Sequence, residues 1–430
     1  MYQTPTGIHD ILPEEWPYWR HVLATAERLA GLYGFERIDT PIFEVTEVFE
    51  RGVGEGAAVM LDKEMYTFAD KGGDSLTLRP EFTAGIVRAY LQHGMRVRPQ
   101  PVKLYTLGPI FRQERPQAGR YRQHTQWNVE VIGELDPAVD FEVMSIAWSL
   151  FSELGFRGLA FQLNSIGCPS PACRPRHLAA LIDYFSAYRE QLNAVDRRRL
   201  EVNPLRLLDS KEAASQPLLE GAPASIDYLC DECRSHFETL LRYLDQAAMA
   251  YTVNTRLVRG FDYYTKTVFE VWAEGIGAQA AVCGGGRYDG LIELLGGPPT
   301  PGIGFGGGVE RLIATLREQG VQPPALPRPV VQLALVGKGE ARQQLKEAGL
   351  ALVRELRQAG VGALFPFGEG SLKSQLRAAD RAGVVYAVIV GEGELESGQW
   401  TVRSMADSSQ QTVARAELVA WLVASVNGER

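Results

Sequence analysis

The chain has 430 residues, a formal net charge of −8 and 45% hydrophobic residues, which at roughly 150 residues per domain predicts two or three domains, each with its own core. Charged residues at 22% exclude a disordered polyelectrolyte, and no run approaches the ~18 apolar residues that a membrane span requires. The start Met1-Tyr2-Gln3-Thr4-Pro5 lacks a secretory pattern and five cysteines are too few for a secreted disulfide scaffold, so the expected setting is cytoplasmic.

Trp19, Val22, Leu23, Ala26, Leu29, Ala30 and Tyr33 recur at helical spacing and predict a helix over 13–33, capped by Gly34. Phe35 to Asp39 alternates as a strand, and Pro41 puts its end at an edge or an interface. Short strands surround a helix at 84–93 between residues 76 and 132, followed by a helix at 143–154 and a strand from Ala160 to Ile166. Residues 168–250 carry helical periodicity and few strand signals. Strand-like runs return at Leu257–Val258, Val268–Val271 and Ala280–Cys283, and the Gly302–Gly308 segment leads into a helix from Val309. Gln322-Pro-Pro-Ala-Leu-Pro-Arg-Pro329 reads as a linker. Beyond it, a strand at Val330–Val336, a helix at 340–359, a strand at Ala363–Phe367, a helix at 371–382 and a strand at Tyr386–Val390 predict a small α/β domain with a largely parallel sheet. The expected order is thus a core over 1–167, a mostly helical insertion over 168–250, the rest of the core over 251–321, a linker at 322–329 and a terminal domain over 330–430. The core itself reads as α+β with a mostly antiparallel sheet.

Charge is unevenly placed. Between Gly94 and Gln123 seven basic residues accompany one acid, Glu114, in an otherwise acidic chain. This is either a solvated loop or a site for a polyanion such as a nucleotide or an RNA end. The stretch Gly302-Ile-Gly-Phe-Gly-Gly307 satisfies G-x-G-x-x-G but fails as a dinucleotide site, because Pro298, Pro299 and Pro301 stand where the strand should run. Its glycines mark either a bulge or backbone against which a flat ligand can lie. Cys168 and Cys173 form a C-x₄-C pair, and Cys230 and Cys233 a C-x₂-C pair. Their spacing allows tetrahedral zinc, but four ordinary thiols in a helical insertion is the favoured reading, and no metal is assigned to the site from sequence.

Three segments decide the reading. Leu257-Val-Arg-Gly-Phe-Asp-Tyr-Tyr264, continued by Thr267-Val-Phe-Glu270, and Gly284-Gly-Gly-Arg-Tyr-Asp-Gly290 closely resemble the two signature motifs of the histidyl-tRNA synthetase family. The three general motifs of class II aminoacyl-tRNA synthetases are also recognisable. Gly34–Glu44 resembles the first, Phe111-Arg-Gln-Glu-Arg115 through Glu130 the second, and Gly302 to Arg311 the third. Leu78-Arg-Pro-Glu-Phe-Thr-Ala84 resembles a further histidine-site segment, and the similarity extends into the terminal domain through Ser371-Leu-Lys373 to Tyr386.

The resemblance implies a class II catalytic core, a C-terminal α/β anticodon-binding domain, and ligation of L-histidine to the 3' end of tRNA(His) through an adenylate. ATP with Mg2+ and a homodimer are implied as well. Arg112 and Arg259 are the implied catalytic residues, since joining two anions needs fixed positive charge. Glu130 and Tyr264 would read the two imidazole nitrogens. Glu81, Thr83 and Gln126 would hold the α-ammonium and carboxylate, with Arg112, Arg259, Tyr263 and Tyr288 completing the histidine site. Arg112, Glu114, His124 and Arg311 would bind ATP, and Arg115 and Gln117 would meet the tRNA acceptor end. Two positions depart from the family pattern: Phe82 stands where glycine is usual and is expected to narrow or reshape the pocket mouth, and His124 stands where phenylalanine is usual. Lys373, Arg377 and Arg381 fall four apart on one helical face, either solvated or meeting anticodon phosphates, in a terminal domain with 11 basic and 11 acidic residues. The alternative is a non-catalytic paralogue, such as the regulatory subunit of ATP phosphoribosyltransferase. Chains of that kind typically lack the terminal domain and the counterpart of Arg259.

Overall fold

The computed structural model describes residues 2–53, 64–113, 121–260, 263–274 and 281–428. The chain divides into two compact units, Met1–Pro324 and Ala325–Arg430. Among the described residues no helix is long and apolar enough to cross a membrane.

The first unit opens with α1 (Trp16–Leu32), whose Trp19, Val22, Ala26, Leu29 and Ala30 are buried, as their spacing requires. Next come β1 (Glu36–Arg37), β2 (Phe43–Val45), β3 (Tyr66–Ala69), β4 (Ser75–Leu78), α2 (Thr83–Gln92), β5 (Val102–Phe111) and β6 (Gln123–Ile132). They are followed by α3 (Pro137–Glu153) and β7 (Ala160–Ser165). The α3 helix is started by Asp136, which accepts from Ala138 N at 2.8 Å, with Pro137 in the first turn. The helical insertion begins with α4 (Arg174–Ser186) and ends with α5 (Asp231–Gln246). The core resumes with β8 (Tyr251–Val253), β9 (Thr265–Trp272), β10 (Ala281–Arg287), β11 (Gly302–Gly308) and α6 (Val309–Glu318).

Eight strands form one sheet in the order β1-β5-β6-β11-β10-β9-β7-β8. Its five central pairings are antiparallel, and only the two edge strands, β1 and β8, run parallel to their neighbours. The face covered by α1, α3 and α6 is the main apolar core, centred on Trp127, Phe161, Phe269 and Phe305. β2, β4 and β3 make a separate antiparallel sheet.

Two expectations are corrected here. Leu257–Val258 is not a strand, because the paired segment is Tyr251–Val253, hydrogen-bonded alongside β7, and residues 257–258 belong to the loop that follows. The glycine run is neither turn nor bulge; Gly302–Gly308 is a continuous central strand paired with β6 on one side and β10 on the other.

Arg287, fully buried in the second signature motif, is held by a fully buried acid 147 positions away. Its guanidinium contacts Asp140 Oδ2 at 2.6 and 2.7 Å, and two further N–H groups reach the carbonyls of Glu134 and Asp136. His236 Nε2 lies 3.2 Å from the other Asp140 oxygen. Despite burial, this cationic partner keeps the Asp140 carboxyl below the usual range. The network fastens α3 and α5 to the edge of the site rather than taking part in it.

The second unit holds β12 (Val331–Val336), α7 (Gly339–Gln358), β13 (Ala363–Leu364), α8 (Leu372–Ala382), β14 (Tyr386–Gly391), β15 (Gln399–Ser404), β16 (Gln410–Ala414) and α9 (Leu418–Gly428). Its sheet order is β13-β12-β14-β15-β16. The first three strands are parallel, as expected, but β15 and β16 add an antiparallel hairpin, so the sheet is mixed rather than largely parallel. On α8, Lys373, Arg377 and Arg381 are all exposed while Gln375 and Ala379 are buried.

Candidate active site

The exposed end of the central sheet opens into a cavity of about 570 Å³. On β6, His124, Gln126, Asn128 and Glu130 alternate with buried Trp127 and Val129, so period-two geometry puts four polar side chains on one face of the strand, and the first three line the cavity. The neighbouring strand leaves room for them. At Gly304, opposite Glu130, a Cβ would sit 1.9 Å from Glu130 Oε2 and 2.4 Å from the Val129 carbonyl, so no side chain fits there.

Glu130 is 1% exposed. Thr83 Oγ1 donates to its Oε1 at 2.6 Å, and the Tyr288 hydroxyl donates to its Oε2. Burial pushes this carboxyl up to about 8, with the neighbouring Glu81 adding to the effect. Tyr263, Tyr264 and Tyr288 wall the same end, with ring centroids 4.8 Å apart for the first two and 6.1 Å for Tyr263 and Tyr288. Glu81 precedes α2 and accepts from Thr83 N and Ala84 N, the latter at 2.9 Å, which fixes the carboxylate over the helix start. Burial raises its pKa too. Gln126 also lines this cavity.

Two arginines enter from loops. Arg112 follows β5, and its Nε donates to the Pro80 carbonyl at 2.8 Å. Arg259 enters from the loop before β9, where Nη1 donates to Glu270 Oε1 at 2.7 Å. Its Nε is buried with no hydrogen-bond partner among the described residues, and the side chain lines the cavity.

At the far end His124 and Arg311 flank Gly308, whose Cβ would lie 3.8 Å from His124 Cδ2 and 4.0 Å from Arg311 Cβ. Burial and the Arg112 guanidinium push His124 down to about 4, so near pH 7 it is a neutral ring able to stack. Its Nδ1 lies 3.3 Å from the Tyr121 carbonyl, which places the proton on that nitrogen. Glu310 accepts from Thr125 N at 2.7 Å through Oε1, and its Oε2 is buried without a partner among the described residues. Burial pushes this carboxyl up to about 7.

The cavity therefore brings together Glu81, Thr83, Arg112, His124, Gln126, Arg259, Tyr263, Tyr264, Tyr288 and Arg311. Glu130 is not part of its lining and lies directly behind it, bonded to two residues that are, Thr83 and Tyr288. Glu114, Arg115 and Gln117 lie outside the described residues. Phe82 does not reach the pocket mouth. It is 1% exposed and packs into the core with Ile86, Val87 and Ile110, with the Arg79 guanidinium 4.5 Å over its ring. Sequence reasoning missed Asn128, Glu270, Glu310 and three insertion residues, Arg199, Arg206 and Asp209. Alternation along β6 could have found Asn128. Nothing local marks Arg206, whose Nη2 donates to the Gly260 carbonyl 54 positions away, at 2.9 Å.

A family profile described as histidyl-tRNA synthetase matches residues 7–312, and one described as anticodon binding domain matches 331–425. A histidine–tRNA ligase of Dehalococcoides mccartyi is 49% identical over 419 residues, 97% of this chain and 98% of that protein. The crystal structure of apo histidyl-tRNA synthetase from S. aureus superposes with a TM-score of 0.82 at 34% identity, covering 98% of this chain and 100% of that one. A Bacillus halodurans C structure titled as an ATP phosphoribosyltransferase regulatory subunit/histidyl-tRNA synthetase shares the fold, with a TM-score of 0.64 at 21% identity, covering 91% of this chain and 98% of that one. With a profile across most of its first unit and near-complete alignment to a curated relative, the chain belongs to the histidyl-tRNA synthetase family.

Proposed function

We propose that this chain activates L-histidine with ATP and transfers it to the 3' end of tRNA(His). The observation that carries the proposal is one cavity with three tyrosines at one end, Tyr288 among them bonded to the buried Glu130 carboxyl, a ring slot at the other end, and two arginines between them. In the first step a histidine carboxylate oxygen attacks the α-phosphorus, the bond to the bridging oxygen breaks, and diphosphate leaves. In the second a ribose hydroxyl of the terminal tRNA nucleotide attacks the acyl carbon, and AMP leaves.

Both partners of the first step are anions, so their approach needs positive charge already in place. Arg112 and Arg259 supply it, Arg112 at the α-phosphate and carboxylate, Arg259 where charge builds up. Glu130 and Tyr264 read the imidazole nitrogens, and Glu81, Thr83 and Gln126 hold the α-ammonium and carboxylate, with Tyr263 and Tyr288 walling the pocket. His124 and Arg311 sandwich the adenine, a role suited to two flat groups. Arg115 and Gln117 meet the acceptor end and Glu114 the nucleotide. A divalent cation such as Mg2+ neutralises the triphosphate when bound. Glu310 fits it, because its buried Oε2 has no partner among the described residues and its carboxyl is hard to ionise without added positive charge. ATP–diphosphate exchange should depend on histidine, and its absence would turn the reading to a non-catalytic paralogue.

The terminal unit serves RNA affinity through the exposed Lys373, Arg377 and Arg381. Truncation within 322–329 should leave histidine-dependent exchange largely intact and weaken tRNA charging; equal charging by the truncated and whole chains would remove the anticodon role.

The chain works as a cytoplasmic homodimer. β1 is an edge strand of the sheet among the described residues, and close to it in sequence Ile42, Phe43 and Val45 are exposed, with Phe68 packed edge-on to Phe43 at 6.3 Å. Light scattering at micromolar concentration should give twice the chain mass; a stable monomer would contradict it.

A further inference from the structure

The four cysteines of the insertion converge. We infer that Cys168, Cys173, Cys230 and Cys233 bind one zinc ion that clasps the base of the helical insertion beneath the candidate histidine pocket. Their spacing in sequence does not separate this from four ordinary thiols; their geometry does. The four Sγ atoms all lie within 4.8 Å of one another, and Cys168 Sγ to Cys230 Sγ is 3.8 Å. A tetrahedron with zinc–sulfur bonds of about 2.3 Å has edges of roughly 3.8 Å. All four thiols are free rather than joined in disulfides.

Thiols can also gather as small apolar groups, and Leu229 and Ile226 do pack against these. The polar surroundings argue for charge instead. Two backbone N–H groups point at one sulfur, Cys168 N at 3.3 Å and Cys230 N at 3.4 Å from Cys173 Sγ, an arrangement that stabilises a thiolate. Cys173 immediately precedes α4, and Cys230 and Cys233 bracket the first turn of α5, so two helix N-termini face the cluster. Four thiolates around a divalent ion leave an excess negative charge. Cationic groups stand beside it: Arg174 follows Cys173 directly, and buried Lys266 bonds Glu232, the neighbour of Cys233, at 2.8 Å. Gly167, at φ +70°, leaves room for Cys173, since a Cβ there would fall 2.6 Å from its sulfur.

The clasp has a purpose that the fold makes visible. Its first pair directly follows β7, its second pair starts α5, and everything between them is insertion. The Arg174 guanidinium links the cluster to the active site, donating to the carbonyls of Gly167 at 2.9 Å and of Tyr264 at 2.6 Å. Fixing Cys173 therefore fixes the backbone that carries Tyr264.

The test uses the full-length chain, expressed and purified without added metal or chelator. Elemental analysis should find one zinc per chain, released when a mercurial titrates the thiols. Exchange into cobalt should give the thiolate charge-transfer and tetrahedral d–d bands of a four-sulfur site. Cys230→Ser combined with Cys233→Ser should lose the zinc. Substoichiometric zinc in the wild type with the thiols freely reactive, a pair of disulfides, or a cobalt spectrum without sulfur ligation would each overturn the proposal. Because the first measurement is on the wild type, misfolding of the double variant cannot mimic either result.

Discussion

Replacing Arg259 with alanine is expected to slow histidyl-adenylate formation by on the order of 10²–10³, with a much smaller change in histidine affinity. The size follows from what the side chain does in the cavity. One of its donors is spent on Glu270 at 2.7 Å, which aims the guanidinium, while Nε is buried and unpartnered among the described residues. A buried donor without an acceptor is unfavourable in the free protein and becomes favourable only when an anion arrives. In the proposed first step negative charge gathers beside this guanidinium as the carboxylate oxygen closes on the α-phosphorus, and a contact of that kind is strongest in the transition state. Only contacts of that kind raise the rate of the chemical step. Glu270 is 20% exposed on its side chain, so losing its partner leaves it partly hydrated and the variant should stay folded. Arg259→Lys keeps the charge without the planar fork and should recover part of the rate. Rapid-quench measurement of adenylate formation, with histidine titrated separately, distinguishes the two roles. An unchanged single-turnover rate with weakened binding would make Arg259 a binding residue only.

How far the sequence reveals this site depends on how local each signal is. His124, Gln126 and Glu130 were reached through the family resemblance, and the alternation that sets them with Asn128 on one face of β6 is plain in the strand itself. α1 was legible because its apolar stripe has helical period. The β11 strand was not legible as a strand: Gly302–Gly308 has no side-chain alternation to read, and its form is imposed by β6 and β10 on either side. Leu257–Val258 failed for the opposite reason, being apolar with a β-branched valine yet without a neighbouring strand to pair with among the described residues. Arg287 lies in the second signature motif, and a buried arginine needs an anion. Its anion proved to be Asp140, on a helix whose proximity no local pattern encodes. Phe82 misled for a related reason, since sequence identifies a bulky residue beside the site but not which way it turns.

Glu130→Gln should weaken histidine binding by roughly 10- to 100-fold, the scale of a lost hydrogen bond to a charged acceptor, while leaving ATP affinity nearly unchanged. The same substitution should change how stability responds to pH in the ligand-free protein. In the folded state burial pushes the Glu130 carboxyl from 4.5 up to about 8. Between those values the folded chain holds a proton that the unfolded chain has released. Folded wild type therefore binds more protons than unfolded, and its stability falls as pH rises through this window. The penalty is absent below about 4.5 and fully developed above about 8. Glutamine has no proton to lose, so the stability of the variant relative to wild type should rise from pH 5 to pH 8 by on the order of a few kcal/mol. Hydrogen bonds from Thr83 and Tyr288 that fit glutamine less well shift the level at every pH but not this slope. Histidine reverses the balance, because imidazole N–H groups favour the ionised carboxylate, so binding near neutral pH should displace the Glu130 proton. Paired denaturant titrations of both proteins across pH 5–8, with and without histidine, read the slope directly. Parallel curves without ligand would mean that Glu130 is already ionised in the free protein, and the selectivity argument would then rest on shape and hydrogen bonding alone.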